Sequence, residues 1–379
     1  MTTSTHATRA GTERYAGRMS HLAQGHFRPR FGLQFSSIGL GTYLGENDAA
    51  TSEGYVDSIK TALANGCNVF DTAVNYRLMQ SERDLGRALA ESFAAGDAAR
   101  DEVIICSKGG YVAYDGQGDL AAQRDLYSRF VATGLAAEEE IAGGIHCLAP
   151  DFLSHQIETS LANLGLETID VYYLHNPEVQ LEQGVGSEQF LARLEAAFTR
   201  LEEEARAGRI RAYGIASWSG LRADETERNY LPLFVLMDAA RKIGGADHRC
   251  RFLQFPYNMG MMEGLIKRNQ YIYVSGNNGS SRRVQVSLLA AAVQYGMAAI
   301  TSASLLQGQI QGRPPASLRQ KLGEFASDAQ LALQLSRSTP GVTTALVGMS
   351  RPDHVLENLA AAQHPPVDRE QFFRMFRVE

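Results

Sequence analysis

Val69-Phe70-Asp71-Thr72-Ala73-Val74-Asn75-Tyr76, followed by Ser81-Glu82, is the stretch that decides the fold. Its apolar lead-in, Cys67 to Phe70, reads as a short buried strand. The strand ends on a carboxylate, and a tyrosine follows five residues later. Ser81 then reads as the N-cap of a helix with Leu85 and Leu89 on one face. A buried strand that delivers ionisable groups at its C-terminal end, followed by an amphipathic helix, is the repeating unit of an α/β barrel. The active site of such a barrel lies on that end.

The same unit recurs on both sides. Upstream, Ile38-Gly39-Leu40-Gly41-Thr42 is a first core strand, and Ser52-Glu53 opens a helix with Val56, Ile59 and Leu63 aligned. Phe31 to Phe35 reads as a short strand before it. Downstream, Val103 to Lys108 is a third strand and Ile169 to His175 a fourth. Ile210 to Ala216, Arg251 to Pro256, Met297 to Ser302 and Val342 to Val347 complete eight. Helical stripes separate them, among them Phe152 to Leu164, Val284 to Tyr295, Asp328 to Ser336 and Asp353 to Ala362. This alternation predicts the α/β class and a (β/α)8 TIM barrel. No GxGxxG follows an early strand, which argues against a doubly wound dinucleotide-binding sheet.

Residues 1–30 read as an N-terminal arm, mobile or an irregular cover, and residues 31–379 as the barrel. Two connections exceed ordinary loop length. Gly109 to Pro150 follows the third strand and Tyr257 to Arg283 the sixth, both on the active face. The second contains Gly276-Asn277-Asn278-Gly279-Ser280-Ser281, which predicts flexibility.

Of 379 residues, 44% are apolar and 21% charged, enough for a large core. A net charge of −6 argues against nucleic acid as a partner. No apolar run reaches membrane-spanning length, and Met1 to His26 lacks an apolar signal core, so a cytoplasmic location is expected. The four cysteines are far apart, so they read as buried small residues in a reducing compartment, and no clustered ligand set suggests a metal.

Strands two, three and four each deliver an ionisable group at the same end: Asp71 with nearby Tyr76, then Lys108, then His175. Singly, each has a structural reading. At matched positions on one barrel rim they can converge. The set suits proton transfer to or from a carbonyl or alcohol oxygen. A tyrosine's ordinary pKa near 10 is high for this task, and an adjacent ammonium is expected to lower it. Asp71 would hold Lys108 charged and in place, and His175 would donate a hydrogen bond to the same oxygen.

In these residues the chain resembles the aldo-keto reductases, over roughly Ser36 to Ala362. Gly39-Leu40-Gly41-Thr42 is similar to the family's first-strand motif. Asp71-Thr72-Ala73-Val74-Asn75-Tyr76 with Ser81-Glu82 and Leu85-Gly86 is similar to its DTAxxY…SExxLG signature. Ser107-Lys108 resembles the lysine strand and Tyr172-Tyr173-Leu174-His175 the histidine strand. Gly214-Ile215-Ala216-Ser217-Trp218 resembles GxSNW, and Gly348-Met349-Ser350 through Glu357-Asn358 the dinucleotide-binding segment. The resemblance implies an NAD(P)-dependent oxidoreductase acting on a small carbonyl or alcohol. Tyr76 would be its proton donor or acceptor, supported by Asp71, Lys108 and His175.

The segment after strand eight leads into a helix whose N-terminus suits phosphate. Ser350 and Arg351 would contact phosphate. By position in the family pattern, the resemblance implies that Glu357 and Asn358 contact the adenine, and Ser217 and Gln254 the nicotinamide carboxamide. The resemblance extends the cofactor contacts to Gly41, Thr42, Asp71, Leu305, Gln307, Gly348, Met349 and His354. Arg351 tilts the expectation to NADP(H), with NAD(H) possible. Tyr111, His146, Trp218 and Tyr257 are candidates for the substrate side.

The chain departs from the family pattern at three places. Arg77-Leu78-Met79-Gln80 forms the spacer after Tyr76, Ala216-Ser217 replaces Ser-Asn, and no aromatic follows strand seven, so either another residue stacks on nicotinamide, with Tyr257 a candidate, or cofactor binding is weaker. These departures keep two alternatives open: a regulatory subunit of low turnover, and a non-redox net reaction through a transient ketone.

Overall fold

The computed structural model describes residues 4–275, 281–309 and 316–376. Residues 276–280 of the glycine-asparagine stretch expected to be flexible lie outside the described residues. The eight apolar runs form strands β1 (Ile38–Gly41), β2 (Val69–Asp71), β3 (Ile104–Gly109), β4 (Ile169–His175), β5 (Ile210–Ala216), β6 (Cys250–Pro256), β7 (Ala298–Ser302) and β8 (Val342–Gly348). Each pairs in parallel with its successor, and β8 pairs with β1, so the sheet closes into an eight-stranded barrel. The architecture is a (β/α)8 barrel. Outside it lie α1 (Ala49–Ala64), α2 (Gln80–Ala95), α3 (Pro150–Leu164), α4 (Ser187–Arg206), α5 (Leu233–Gly244), α6 (Leu288–Gln294), α7 (Asp328–Ser338) and α8 (Pro352–Leu359).

The two-residue period of a strand decides which side chains enter the barrel. Val69, Ile104, Cys106, Val171, Tyr173, Phe252 and Ile300 belong to one buried interior cluster. Two residues beyond them on the same faces stand Asp71, Lys108, His175 and Gln254. The polar groups of the rim are therefore the top layer of the stack that fills the barrel. The pairings Gly41 with Asp71, Asp71 with Cys106, and His175 with Ala216 set their relative heights.

Three local expectations are corrected. Residues 9–18, read as part of an arm, form a helix capped by Thr8. Its Tyr15 is fully buried, and the hydroxyl donates to the carbonyls of Leu63 at 2.6 Å and Cys67 at 3.1 Å. A hairpin of Phe27–Arg30 and Leu33–Ser36 follows, and Phe35 and Ala7 join the interior cluster from below.

Second, Val284 does not begin a helix. Ser281–Val286 pairs with Gln270–Ser275 as an antiparallel hairpin. Its aromatic and β-branched residues favour that state, and the Arg283 guanidinium stacks 3.8 Å from the Tyr271 ring centre. The helix starts only after Ser287, whose hydroxyl caps it. Third, Ser81 does not cap α2. Its hydroxyl donates to the Thr42 carbonyl at 2.8 Å, fastening α2 to the end of β1.

The four cysteines are buried free thiols. Among the described residues no helix is long and apolar enough to cross a membrane, and no group of three metal-binding side chains occurs.

Candidate active site

Asp71 and Lys108 meet inside the rim, with Lys108 Nζ 2.5 Å from Asp71 Oδ1. Lys108 also donates to the Thr72 carbonyl at 2.7 Å, and Gln254 Nε2 donates to Asp71 Oδ2 at 2.7 Å. Lys108 is wholly buried, so its ammonium is held by these partners rather than by water. Burial pushes the Asp71 carboxyl up, opposed by the Lys108 charge and the Lys108 and Gln254 hydrogen bonds. Burial alone would lower the ammonium, but Asp71 and Tyr76 together raise it above its ordinary range.

Tyr76 reaches the same point from the β2–α2 loop. Lys108 Nζ lies 4.7 Å from its ring centre. The ring is edge-on to His175, centre to centre 5.6 Å, and to Tyr43 at 5.0 Å. Here the sequence expectation is corrected. Burial raises the phenol above 10, and the Lys108 charge only partly opposes it. The phenol is thus protonated at neutral pH.

His175 is held through its backbone. His146 Nε2 is 2.8 Å from the His175 carbonyl, and Gln180 Nε2 is 3.0 Å from His146 Nδ1. Because Gln180 can only donate there, Nε2 of His146 carries the proton. The His175 Nδ1 is buried without a partner. Burial, the Lys108 charge and His146 push its pKa well below 6.5, so the ring is neutral.

A cavity of about 600 Å³ opens over these groups and runs from Tyr76 and His175 to Glu357 and Asn358. It is lined by Gly41, Thr42, Asp71, Ser217, Gln254 and Leu305, and by Gly348, Ser350, His354, Glu357 and Asn358. Tyr111 and Trp218 line its catalytic end. Asn358 is 4% exposed, and its Oδ1 has no partner.

Several expected contacts lie elsewhere. Met349 is buried in the core outside the cavity. Arg351 points away and pairs with Asp353 at 2.6 Å, both side chains largely exposed. Its guanidinium is engaged by that neighbour two residues along and is not among the cavity-lining groups. His146 does not reach the rim, because its two nitrogens are taken by His175 and Gln180. Tyr257 is fully buried in the core, its hydroxyl hydrogen-bonded with Thr339 at 3.0 Å, so it does not stack in the cavity. The Gln307 side chain lies outside what is described.

The profile of the aldo/keto reductase family matches residues 37–237, more than half of the chain. The chain belongs to the aldo/keto reductase family. The aldo-keto reductase YhdN of Bacillus subtilis is 27% identical over 211 residues, 54% of this chain and 50% of that protein. The L-glyceraldehyde 3-phosphate reductase of Escherichia coli is 24% identical over 93% of this chain and 90% of its own length. An aldo/keto reductase structure from Klebsiella pneumoniae, in complex with NADP and acetate, superposes with a TM-score of 0.54. It is 20% identical, covering 93% of this chain and 94% of that one.

Against that family background, the departures acquire physical form. Ser217 spends its hydroxyl on Glu178 Oε1 at 2.8 Å, an oxygen that also accepts from the backbone of Ser219 at 2.9 Å and Gly220 at 3.2 Å. Glu178 is a buried carboxylate that sequence reading missed, since it opens a five-residue helix, Glu178–Glu182, that carries no motif. Asn176 was missed as well. Its backbone is left-handed, φ 48°, and its side chain accepts from Trp218 N at 2.9 Å while donating to the Tyr111 hydroxyl at 3.1 Å. Asparagine next to a strand-end histidine was the available signal, because asparagine tolerates that conformation. Tyr43 and Asn75 also line the cavity. At the spacer, Arg77, Leu78 and Met79 all have positive φ, a conformation costing of order 1–3 kcal/mol for each such residue unless its surroundings hold it.

Proposed function

We propose that this protein is an NADP(H)-dependent oxidoreductase that interconverts a small aldehyde or ketone with its alcohol. The observation that carries the reading is the convergence of Tyr76, the Lys108–Asp71 pair and His175 on a cavity of about 600 Å³ that is also lined by Gly348, Ser350, Glu357 and Asn358. The residues present fit such a cofactor. The unpartnered Asn358 Oδ1 is an acceptor suited to an adenine amine, and Ser350 and the cavity-lining Gly348 precede the N-terminus of α8. A bound nicotinamide dinucleotide would supply or accept the hydride.

In reduction, Tyr76 gives its proton to the carbonyl oxygen. Lys108, fixed by Asp71 and the Thr72 carbonyl, stabilises the phenolate left behind. Neutral His175 donates a hydrogen bond to the same oxygen and orients the substrate. In oxidation the phenolate takes the alcohol proton back. Asp71 compensates the buried ammonium of Lys108 rather than acting on substrate, because both of its oxygens are engaged. NADP(H) is favoured over NAD(H) by likeness to the Klebsiella protein, whose structure is a complex with NADP.

The test is to follow reduced cofactor absorbance with NADPH or NADH and a panel of aldehydes and ketones, and the oxidised forms with alcohols and sugars. Consumption of NADPH with stoichiometric alcohol formation is expected. Tight cofactor binding with no turnover in either direction would overturn the reading in favour of a regulatory subunit. Product without net cofactor change would indicate a non-redox reaction.

A further inference from the structure

Tyr76 runs directly into three consecutive non-glycine residues in the left-handed region: Arg77 at φ 46°, Leu78 at 54° and Met79 at 69°. Residues with a Cβ leave that region unless their surroundings hold them there. The surroundings here are a buried clamp. The Arg77 side chain is 2% exposed and that of Asp84 1%. Arg77 Nη1 donates to Asp84 Oδ2 at 2.7 Å, Nη2 to Ser52 Oγ at 3.0 Å and Nε to the Glu46 carbonyl at 2.8 Å. Its guanidinium lies 5.2 Å from the Tyr55 ring centre, and the other Asp84 oxygen accepts from Gln80 at 2.8 Å. One side chain thus ties the turn to α1, to α2 and to the loop between β1 and α1.

The same turn carries the long Gly109–Pro150 connection. Gly116 N donates to the Leu78 carbonyl at 3.1 Å. Arg83, in the first turn of α2, holds Asp115 with two parallel bonds of 2.7 and 2.8 Å. Met79 packs with Val74 and Ala113. The turn therefore joins the proposed proton donor to the segment that places Tyr111 over the cavity. Arg77 itself is not among the cavity-lining residues.

We propose that Arg77, clamped by Asp84, is a positioning residue. It holds the Tyr76–Met79 turn in its left-handed form, and so fixes both the aim of the Tyr76 phenol and the docking of the Gly109–Pro150 loop. The kinetic half of this proposal rests on Tyr76 acting as the proton donor. A buried ion pair with only a structural task would affect stability and leave the turnover of folded molecules alone. A positioning residue affects kcat while cofactor binding, which uses the far end of the cavity, stays as it was.

The experiment compares the full-length protein with Arg77→Met, Arg77→Lys and Asp84→Asn. Hydrogen exchange is measured over 73–80 and 111–118, and steady-state kinetics with NADPH and the best carbonyl substrate. For Arg77→Met, exchange should accelerate in both segments but not in β5 or α5. Its kcat should fall by at least roughly tenfold. NADPH affinity should stay within about threefold. Arg77→Lys should recover part of kcat. If Arg77→Met does not fold, Asp84→Asn carries the same readouts in weaker form. Unchanged exchange in both segments, or faster exchange with kcat unchanged, overturns the proposal. A wild-type protein that consumes no NADPH with any carbonyl would instead sink the proton-donor reading, and the exchange data alone would then decide whether the clamp exists.

Discussion

Tyr76, His175 and Asn358 make separate demands on experiment. Burial raises the phenol and lowers the imidazole, so neither changes charge between pH 6 and 8. Reduction should therefore show a flat kcat profile across neutral pH and fall only on the alkaline side, as Tyr76 loses its proton. Oxidation, which needs the phenolate, should rise with pH. A break near pH 6.5 in the reduction profile would mean that His175 titrates as a solvated ring. Asn358 acts at the other end. Asn358→Leu should weaken NADPH binding by about tenfold, the value of one lost hydrogen bond, with kcat unchanged at saturating cofactor. Fluorescence titration measures the first and saturation kinetics the second.

Among the elements, those set by periodicity were legible in the sequence, and those set by partners were not. The strand reading of Cys67 to Phe70 held over Val69 and Phe70, with Cys67 and Asn68 before the strand, because an apolar run ending on a carboxylate has one comfortable place in a barrel. The placement of Lys108 and His175 followed from the two-residue period of β3 and β4. The helix at Arg9–Arg18 was illegible, because it is polar overall and is fixed by Tyr15 and by ion pairs from Arg14 and Arg18 to Glu102. Its weight can be tested. Tyr15→Ala should destabilise the protein by about 3–5 kcal/mol, as other buried aromatic deletions do. Urea unfolding would give that value, and a loss under about 1 kcal/mol would mean the helix is only loosely applied. The Val284 misreading has the same origin, since a cross-strand partner chose the conformation. Arg351, Tyr257 and His146 were assigned by their places in the chain, while neighbours distant or adjacent decided where each points.

For the whole molecule, buried histidines set an acid limit. His26 is pushed down to about 3 and His146 to about 4, in each case chiefly by burial. A histidine with a depressed folded pKa binds fewer protons native than unfolded. Its contribution is intact above the unfolded value near 6.5 and is lost as pH falls through the window down to about 4 for His146 and 3 for His26. Within that window each costs about 1.4 kcal/mol per pH unit. Urea midpoints at pH 7, 6 and 5 should therefore decline progressively, and His26→Gln should flatten the decline. A midpoint constant from pH 7 to 5 would show that these rings are hydrated.

The central claim is that the barrel's polar top layer moves a proton through Tyr76 while hydride passes to carbonyl carbon. Its most direct test is Tyr76→Phe, with kcat for carbonyl reduction measured at saturating NADPH beside the cofactor dissociation constant. The expected result is a kcat lower by roughly a hundredfold or more with NADPH binding little changed. Turnover equal to that of the unaltered protein would contradict it.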